Sequence, residues 1–202
     1  MSASFWIILL AVFLYGMVHS ILASIRAKAL TRQWFGVNTD RWFRLFYNFV
    51  ALVTLLPVLF LPILLIDRTL YRIPMPWMAL TLLLQASALG MLALGLSQTS
   101  ISAFIGLRQL LFRPEGHPSR FITNGLYRWV RHPLYTAGLI FIWLMPVMSC
   151  NLLALNIGLT LYICVGAIFE ERKLQQEFGD RYSQYKAHTP MFIPGLRWRS
   201  DK

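Results

Sequence analysis

Five apolar runs, at roughly 5–23, 46–66, 77–97, 134–150 and 152–168, leave this 202-residue chain few folds to choose from. A bilayer core about 30 Å thick is crossed by about 20 apolar residues of helix. The first three runs meet that length, and the last two, shorter and joined at Ser149-Cys150-Asn151, read as a tight helical hairpin. Only 13% of residues are charged and mean hydropathy is +0.56, whereas a soluble domain carries about 25% charge. The expected fold class is therefore an all-α integral membrane protein with about five transmembrane helices. No repeat or low-complexity linker divides it, so residues 1–202 read as a single membrane domain with a scaffold half (1–97) and a chemical half (98–202). The first run lacks a basic n-region and has the length of a span, which favours an uncleaved first helix over a signal peptide.

Charge orients the chain. Arg26, Lys28, Arg32, Arg41 and Arg44 follow the first run; Arg108, Arg113, Arg120, Arg128 and Arg131 lie between the third and fourth. Seven more basic residues follow position 168, and only Arg68 and Arg72 fall on the other side. Seventeen of nineteen basic residues thus share one face, which the positive-inside rule makes cytoplasmic, with the N-terminus outside. The net charge of +11 is spread over three segments beside apolar runs, so it points to anionic headgroups rather than to nucleic acid. Cys150 and Cys164 show no metal-binding spacing, and as two positions on one helix they would be too far apart to bridge. No metal site is expected.

Three further features are legible before any chemistry. Ala86, Gly90, Ala93 and Gly95 supply small residues through which membrane helices approach closely. Segment 98–131 is too long for a plain connector, and Phe104, Leu107, Leu110, Leu111 and Phe112 predict a short amphipathic interfacial helix within it. After the last run, Glu170, Leu174, Phe178 and Tyr182 recur every four residues, predicting a helix that continues out of the membrane and ends before Pro190. The tail Pro190-Met191-Phe192-Ile193-Pro194 is stiff and apolar, suited to folding back over a site.

Polar chemistry concentrates in two places. Arg131-His132-Pro133 stands where the fourth run begins, with Pro133 pre-organised for a first helical turn. A helix start flanked by a guanidinium and an imidazole favours an anion such as a carboxylate. A snorkelling arginine and a capping histidine are the plainer reading of such a triplet taken alone. Glu170-Glu171 stands at the same end of the following run. Successive helical residues diverge by about 100°, so one acid is expected to face inward and the other to meet basic residues.

With Gly125-Leu126-Tyr127, Leu134-Tyr135, Gly138, Leu174, Phe178-Gly179, Tyr182 and Tyr185, these motifs resemble the isoprenylcysteine carboxyl methyltransferase and phospholipid methyltransferase superfamily across about residues 98–195. In the N-terminal half, His19-Ser20, Ala23, Lys28, Arg41, Arg44 and Tyr47-Asn48 resemble its bacterial methanethiol S-methyltransferase and NnrU-like branch. Met145-Pro146-Val147-Met148 and Thr160-Leu161-Tyr162 are similar too, while Thr189 stands where that branch carries valine before Pro190.

The resemblance implies S-adenosylmethionine as methyl donor at the cytoplasmic face. Arg131 and His132 would approach its carboxylate, Pro133, Tyr135 and Gly138 would pack on it, and Glu170 or Glu171 would take its amine or ribose. Tyr127 and Tyr182 join the implied cofactor-binding set, and Arg131 and Glu171 the catalytic one. His19 is expected to be a polar residue satisfied inside the bundle, with the acceptor pocket as its other reading. The implied acceptor is small or lipophilic, a thiol such as methanethiol or an isoprenylcysteine carboxylate, in a bacterial inner membrane. An NADPH-dependent reductase related to sterol reductases and a non-catalytic NnrU-like accessory protein are the alternatives.

Overall fold

The computed structural model describes residues 2–36, 38–99 and 121–196. The interfacial helix expected around Phe104–Phe112 lies outside the described residues, as do Arg108, Arg113 and Arg120. The chain is mostly helical, with four helices long and apolar enough to cross a membrane, and it forms an integral membrane protein. Among the described residues the elements are α1 (Ala3–Leu22), α2 (Ile25–Phe35), α3 (Thr39–Leu64), β1 (Thr69–Arg72), α4 (Trp77–Gln98), a 3-10 turn (Gly125–Arg128), α5 (Pro133–Trp143), β2 (Val147–Ser149), α6 (Cys150–Phe178) and α7 (Asp180–His188).

Local sequence explains where these helices start. Ser2 caps α1 by accepting from the Phe5 amide, and Ser24 caps α2 by accepting from the Ala27 amide at 3.1 Å. Ser149 does the same for α6 through the Leu152 amide, also at 3.1 Å. The fourth apolar run departs from expectation. It makes a helix of only 11 residues, about 16 Å long, roughly half a bilayer core. Leu144 ends that helix and Pro146 follows, so Val147–Ser149 becomes a strand paired with Thr69–Arg72. The strands are antiparallel, with the Ile73 amide donating to the Pro146 carbonyl and the Cys150 amide to that of Arg68. The expected helix-to-helix turn at Ser149-Cys150-Asn151 is therefore a strand running into α6.

The chain forms two compact units, each from separate stretches, so both sequence halves contribute to both. The first comprises residues up to Tyr71 with Met148–Tyr162. Its core is the stripe Phe5, Ile8, Val12 and Tyr15 of α1 against Val58 of α3 and Ala154 and Leu155 of α6. Gly158 and Gly16 set the spacing of α1 and α6. A Cβ on Gly158 would meet Val12 at 3.0 Å, and one on Gly16 would meet the Tyr162 ring at 3.1 Å. Asn151, fully buried, donates to the Pro62, Leu65 and Ile66 carbonyls that end α3, and Asp67 accepts the Asn151 amide at 3.0 Å. Side chains such as Phe13, Ile63 and Ile66 point outward, as a lipid-facing surface allows and water does not.

The second unit holds Arg72–Thr99 with residues 121–147 and 163–196. Helix α4 buries Gln85, Ala88 and Gly95, while Ala86, Gly90 and Ala93 face outward. The close approach uses Gly95 alone of the expected four, where a Cβ would meet Leu134 of α5 at 2.7 Å. Buried Gln85 donates to the Phe141 carbonyl at 2.8 Å, tying α4 to α5. The continuous helix expected beyond the last run is broken by Gly179, whose φ of 54° turns the chain into α7. Helix α7 ends at His188, before Pro190 as expected.

Candidate active site

The whole polar corner lies within the second unit. His132 is the N-cap of α5 and Pro133 its first residue, both buried. The imidazole is held between two acids one residue apart: Nε2 is 3.4 Å from Oε1 of Glu171, and Nδ1 is 3.6 Å from Oε2 of Glu170. The expected division, one acid inward and the other on basic residues, does not form: both carboxylates reach the same ring, and the buried one, Glu171, is also the one that meets the basic side chains. Burial alone would lower the His132 pKa; the two acids outweigh it and hold the ring above its ordinary value. Tyr135, one turn along, stacks on His132 at 5.3 Å and stands beside the Glu170 carboxylate.

Glu171 is the acid that faces inward. Oε1 accepts from Nε of Arg131 at 2.6 Å and pairs with its Nη2 at 2.6 Å, while Oε2 meets Nζ of Lys186 at 2.9 Å. Nη1 of Arg131 donates to the Lys186 carbonyl at 3.3 Å and to the Thr189 carbonyl. Every nitrogen of the guanidinium is thus engaged, and the anion anticipated at this corner is the chain's own Glu171. The backbone donors ahead of α5 are taken as well: the Arg131 amide bonds the Pro190 carbonyl at 2.8 Å, and the His132 amide that of Met191 at 3.2 Å. Buried Thr136 adds a bond to the Phe192 carbonyl at 2.9 Å. The stiff tail does fold back, and the corner is what it folds onto.

Four positions at the corner are less engaged than Arg131 and Glu171. The Glu170 side chain is 46% exposed and less committed than Glu171. Tyr182 is buried, and its hydroxyl lies near Glu171 with no hydrogen bond of good geometry. Burial and then the Glu171 charge push its pKa up, so the phenol stays a proton donor. A side chain added at Gly138 would meet nothing within 4 Å, leaving open space one turn beyond Tyr135. Tyr127 is half-buried; burial, then the charge of Glu170, raises its pKa.

All nine expected cofactor-binding positions lie in this unit, most of them around the His132 ring. Sequence reasoning missed Lys186, Thr136 and the carbonyls of 189–192. Lys186 sits one turn beyond Tyr182 on α7, a spacing that placed it on the site face once the helix was granted. Tyr185 also does more than pack, donating its hydroxyl to the Tyr127 carbonyl. Phe121 and Phe178 stack at 4.8 Å, and Tyr182 and Tyr185 meet Phe121 edge-on, which fixes α7 on the end of α6.

Comparison with known proteins bears on this corner directly. A family model described as phospholipid methyltransferase matches residues 75–181, from the start of α4 through both glutamates. The chain is 34% identical over 196 residues to methanethiol S-methyltransferase 1 of Bradyrhizobium diazoefficiens, covering 95% of this chain and 66% of that protein. It is 39% identical over 92 residues to a methanethiol S-methyltransferase of Mycobacterium tuberculosis, covering 44% of this chain and 38% of that one. A protein-S-isoprenylcysteine O-methyltransferase of Schizosaccharomyces pombe is 30% identical over 118 residues, 54% of this chain and 49% of its own. This chain therefore spans less than two thirds of the length of these relatives. No solved structure matches it. The family match covers over half the chain and contains Arg131, His132, Glu170 and Glu171: the chain belongs to the phospholipid methyltransferase family.

Proposed function

We propose that this chain is a membrane methyltransferase that moves a methyl group from S-adenosylmethionine to a small thiol. The observation that carries the reading is the unequal pair of acids around His132. Glu171 is saturated by Arg131, Lys186 and His132, whereas Glu170 keeps a half-exposed carboxylate beside the same ring. The unpartnered Tyr182 hydroxyl and the open space at Gly138 fit a ligand that is polar at one end and flat at the other. When bound, S-adenosylmethionine supplies a methyl group on a sulfonium, which needs an in-line nucleophile.

The chain's residues then divide their work. Glu170 takes the donor's cationic amine or ribose hydroxyls, and the Tyr182 hydroxyl donates to a polar atom of the same molecule. Tyr135 and the bare face at Gly138 give it an apolar surface. Arg131 and Glu171 are positioning residues: they lock the start of α5 to α7 and to the tail, so His132 and Glu170 are fixed before any ligand arrives. Such pre-organisation is where a methyl transfer with little covalent demand gains most of its rate.

A thiol acceptor is favoured because the relative aligned along 95% of this chain is a methanethiol S-methyltransferase. The weight of basic residues beside Arg131 and after α6 favours a cytoplasmic site and, with the bacterial relatives, an inner membrane. The test is transfer of labelled methyl from S-adenosylmethionine by purified, detergent-solubilised protein, offered methanethiol, a prenylcysteine analogue and phosphatidylethanolamine. Label in the volatile thioether is the expected result. Label in the prenylcysteine ester or in the lipid would replace the thiol, and no transfer to any of the three would reject the reading.

A further inference from the structure

Beside the corner, arginines are held in two ways. Arg131 is taken up by Glu171 and the tail carbonyls. Arg128, Arg172 and Arg181 make no ion pair among the described residues, and each lies over an aromatic ring instead. The guanidinium carbons stand 5.4 Å from the Trp129 ring, 5.5 Å from Phe169 and 6.0 Å from Phe121. At about 6 Å or less, the face of a ring attracts a cation. The three rings differ in what else they meet. Phe121 is packed among Phe178, Tyr182 and Tyr185, so Arg181 belongs to the seating of α7. Trp129 and Phe169 are 59% and 52% exposed, which leaves their couples on the outer surface.

Both outer couples stand where apolar helix gives way to polar sequence. The apolar run of α6 ends at Phe169, and Glu170, Glu171, Arg172 and Lys173 follow; Arg128 and Trp129 stand just before α5 begins. The contacts of His132 with Glu170 and Glu171 hold these two helix ends at one level. In a membrane protein that level is the border of hydrocarbon and headgroups, where exposed aromatic rings gather. On α6, Arg172 continues the face of Val165, Ile168 and Phe169, each about half exposed, because helical residues three and four apart are neighbours. That face is an apolar stripe topped by a cation. The two acids before Arg172 are engaged at the His132 ring.

We infer that Arg128 and Arg172, each seated on its ring, bind the phosphate groups of anionic phospholipids beside the corner. A phospholipid presents the same order as the α6 face, an apolar chain and then a charged phosphate. Stacking occupies the flat side of a guanidinium and leaves its N–H fork at the edge for two phosphate oxygens. A side chain already held on a ring loses less freedom when the phosphate arrives. The apolar stripe below Arg172 selects a lipid phosphate over a free one, which has no use for apolar surface. The site uses neither Glu170 nor the methyl donor, so it stands or falls apart from the methyl-transfer reading.

The test is native mass spectrometry of the full chain in detergent, titrated with phosphatidylglycerol, phosphatidylcholine or inorganic phosphate, in wild type, R128Q, R172Q, F169L and R68Q. Wild type should bind phosphatidylglycerol more tightly than phosphatidylcholine, and inorganic phosphate should not displace it. R128Q and R172Q should each weaken phosphatidylglycerol binding about fivefold, the attraction expected of one basic residue at an anionic surface. F169L keeps the guanidinium and removes its ring, so it should lose about twofold to fivefold, and it decides the matter if R172Q does not fold. R68Q removes the same charge from an exposed position in the first unit and should match wild type. Equal losses in R68Q and R172Q would reduce the effect to net charge and overturn the inference. Displacement by inorganic phosphate, or equal binding of the two lipids, would overturn it as well.

Discussion

His132 and His19 both stand at helix ends, in opposite electrostatic settings. His132 caps the N-terminal end of α5, where the helix dipole repels a cation, and it is held by two carboxylates, an arginine and a lysine nearby. His19 is in the C-terminal turn of α1, where the dipole welcomes a cation, and it has three tyrosines and no charged partner among the described residues. The first imidazole is locked on both nitrogens; the second is locked on one. The first is built to hold a charge pattern, and the second is seated by ring contacts and one hydrogen bond.

The most damaging way to break that pattern is E171A. It strands Arg131 and Lys186 without their shared carboxylate, and losing one member of a buried pair costs about 3–5 kcal/mol. A large fall in melting temperature, with release of the 189–192 tail to proteolysis, is expected; an unchanged melting temperature would deny Glu171 its anchoring role. A smaller effect comes from pH. The folded His132 pKa is raised, so its contribution is complete below its ordinary value of about 6.5 and fades as pH climbs through the raised one. The melting temperature should therefore fall with rising pH across that window in wild type and stay flatter in H132N. Equal slopes would mean that the imidazolium does not stabilise the corner. The smallest change is G138A. Alanine in a helix interior is worth about 0.5–1 kcal/mol over glycine, and the space is open, so stability should rise slightly while donor affinity drops severalfold. A tighter donor would remove Gly138 from the site.

The two regions were not equally legible. The corner could be read because its parts are consecutive in sequence: Arg131-His132-Pro133 announces a helix start, and Glu170-Glu171 places two acids within reach of one ring. What closes the corner was hidden. Lys186 and the carbonyls of Thr189, Pro190 and Met191 arrive only because Gly179 breaks the helix and turns α7 back. A four-residue repeat from Glu170 to Tyr182 reads as one helix whether or not a glycine interrupts it.

The short α5 was hidden for a related reason. Hydropathy continues from Leu134 to Cys150 without interruption, and pairing of Val147–Ser149 with Thr69–Arg72 is a non-local contact that composition does not carry. In α4, four small residues satisfied the spacing for close packing. Three of them face outward, since the partner helix selects the Gln85, Ala88 and Gly95 face instead. The neighbours of His19 were hidden as well, because Tyr15, Tyr47 and Tyr162 reach it from three helices far apart in sequence.

On the proposed reading Glu170, and not its saturated neighbour, meets the methyl donor. Isothermal titration of S-adenosylmethionine into wild type and E170Q, each with its melting temperature, tests it most directly. Donor affinity should be at least tenfold weaker in E170Q, about 1.4 kcal/mol, with the melting temperature nearly unchanged because the side chain is half-exposed. Equal affinity in the two proteins would contradict it.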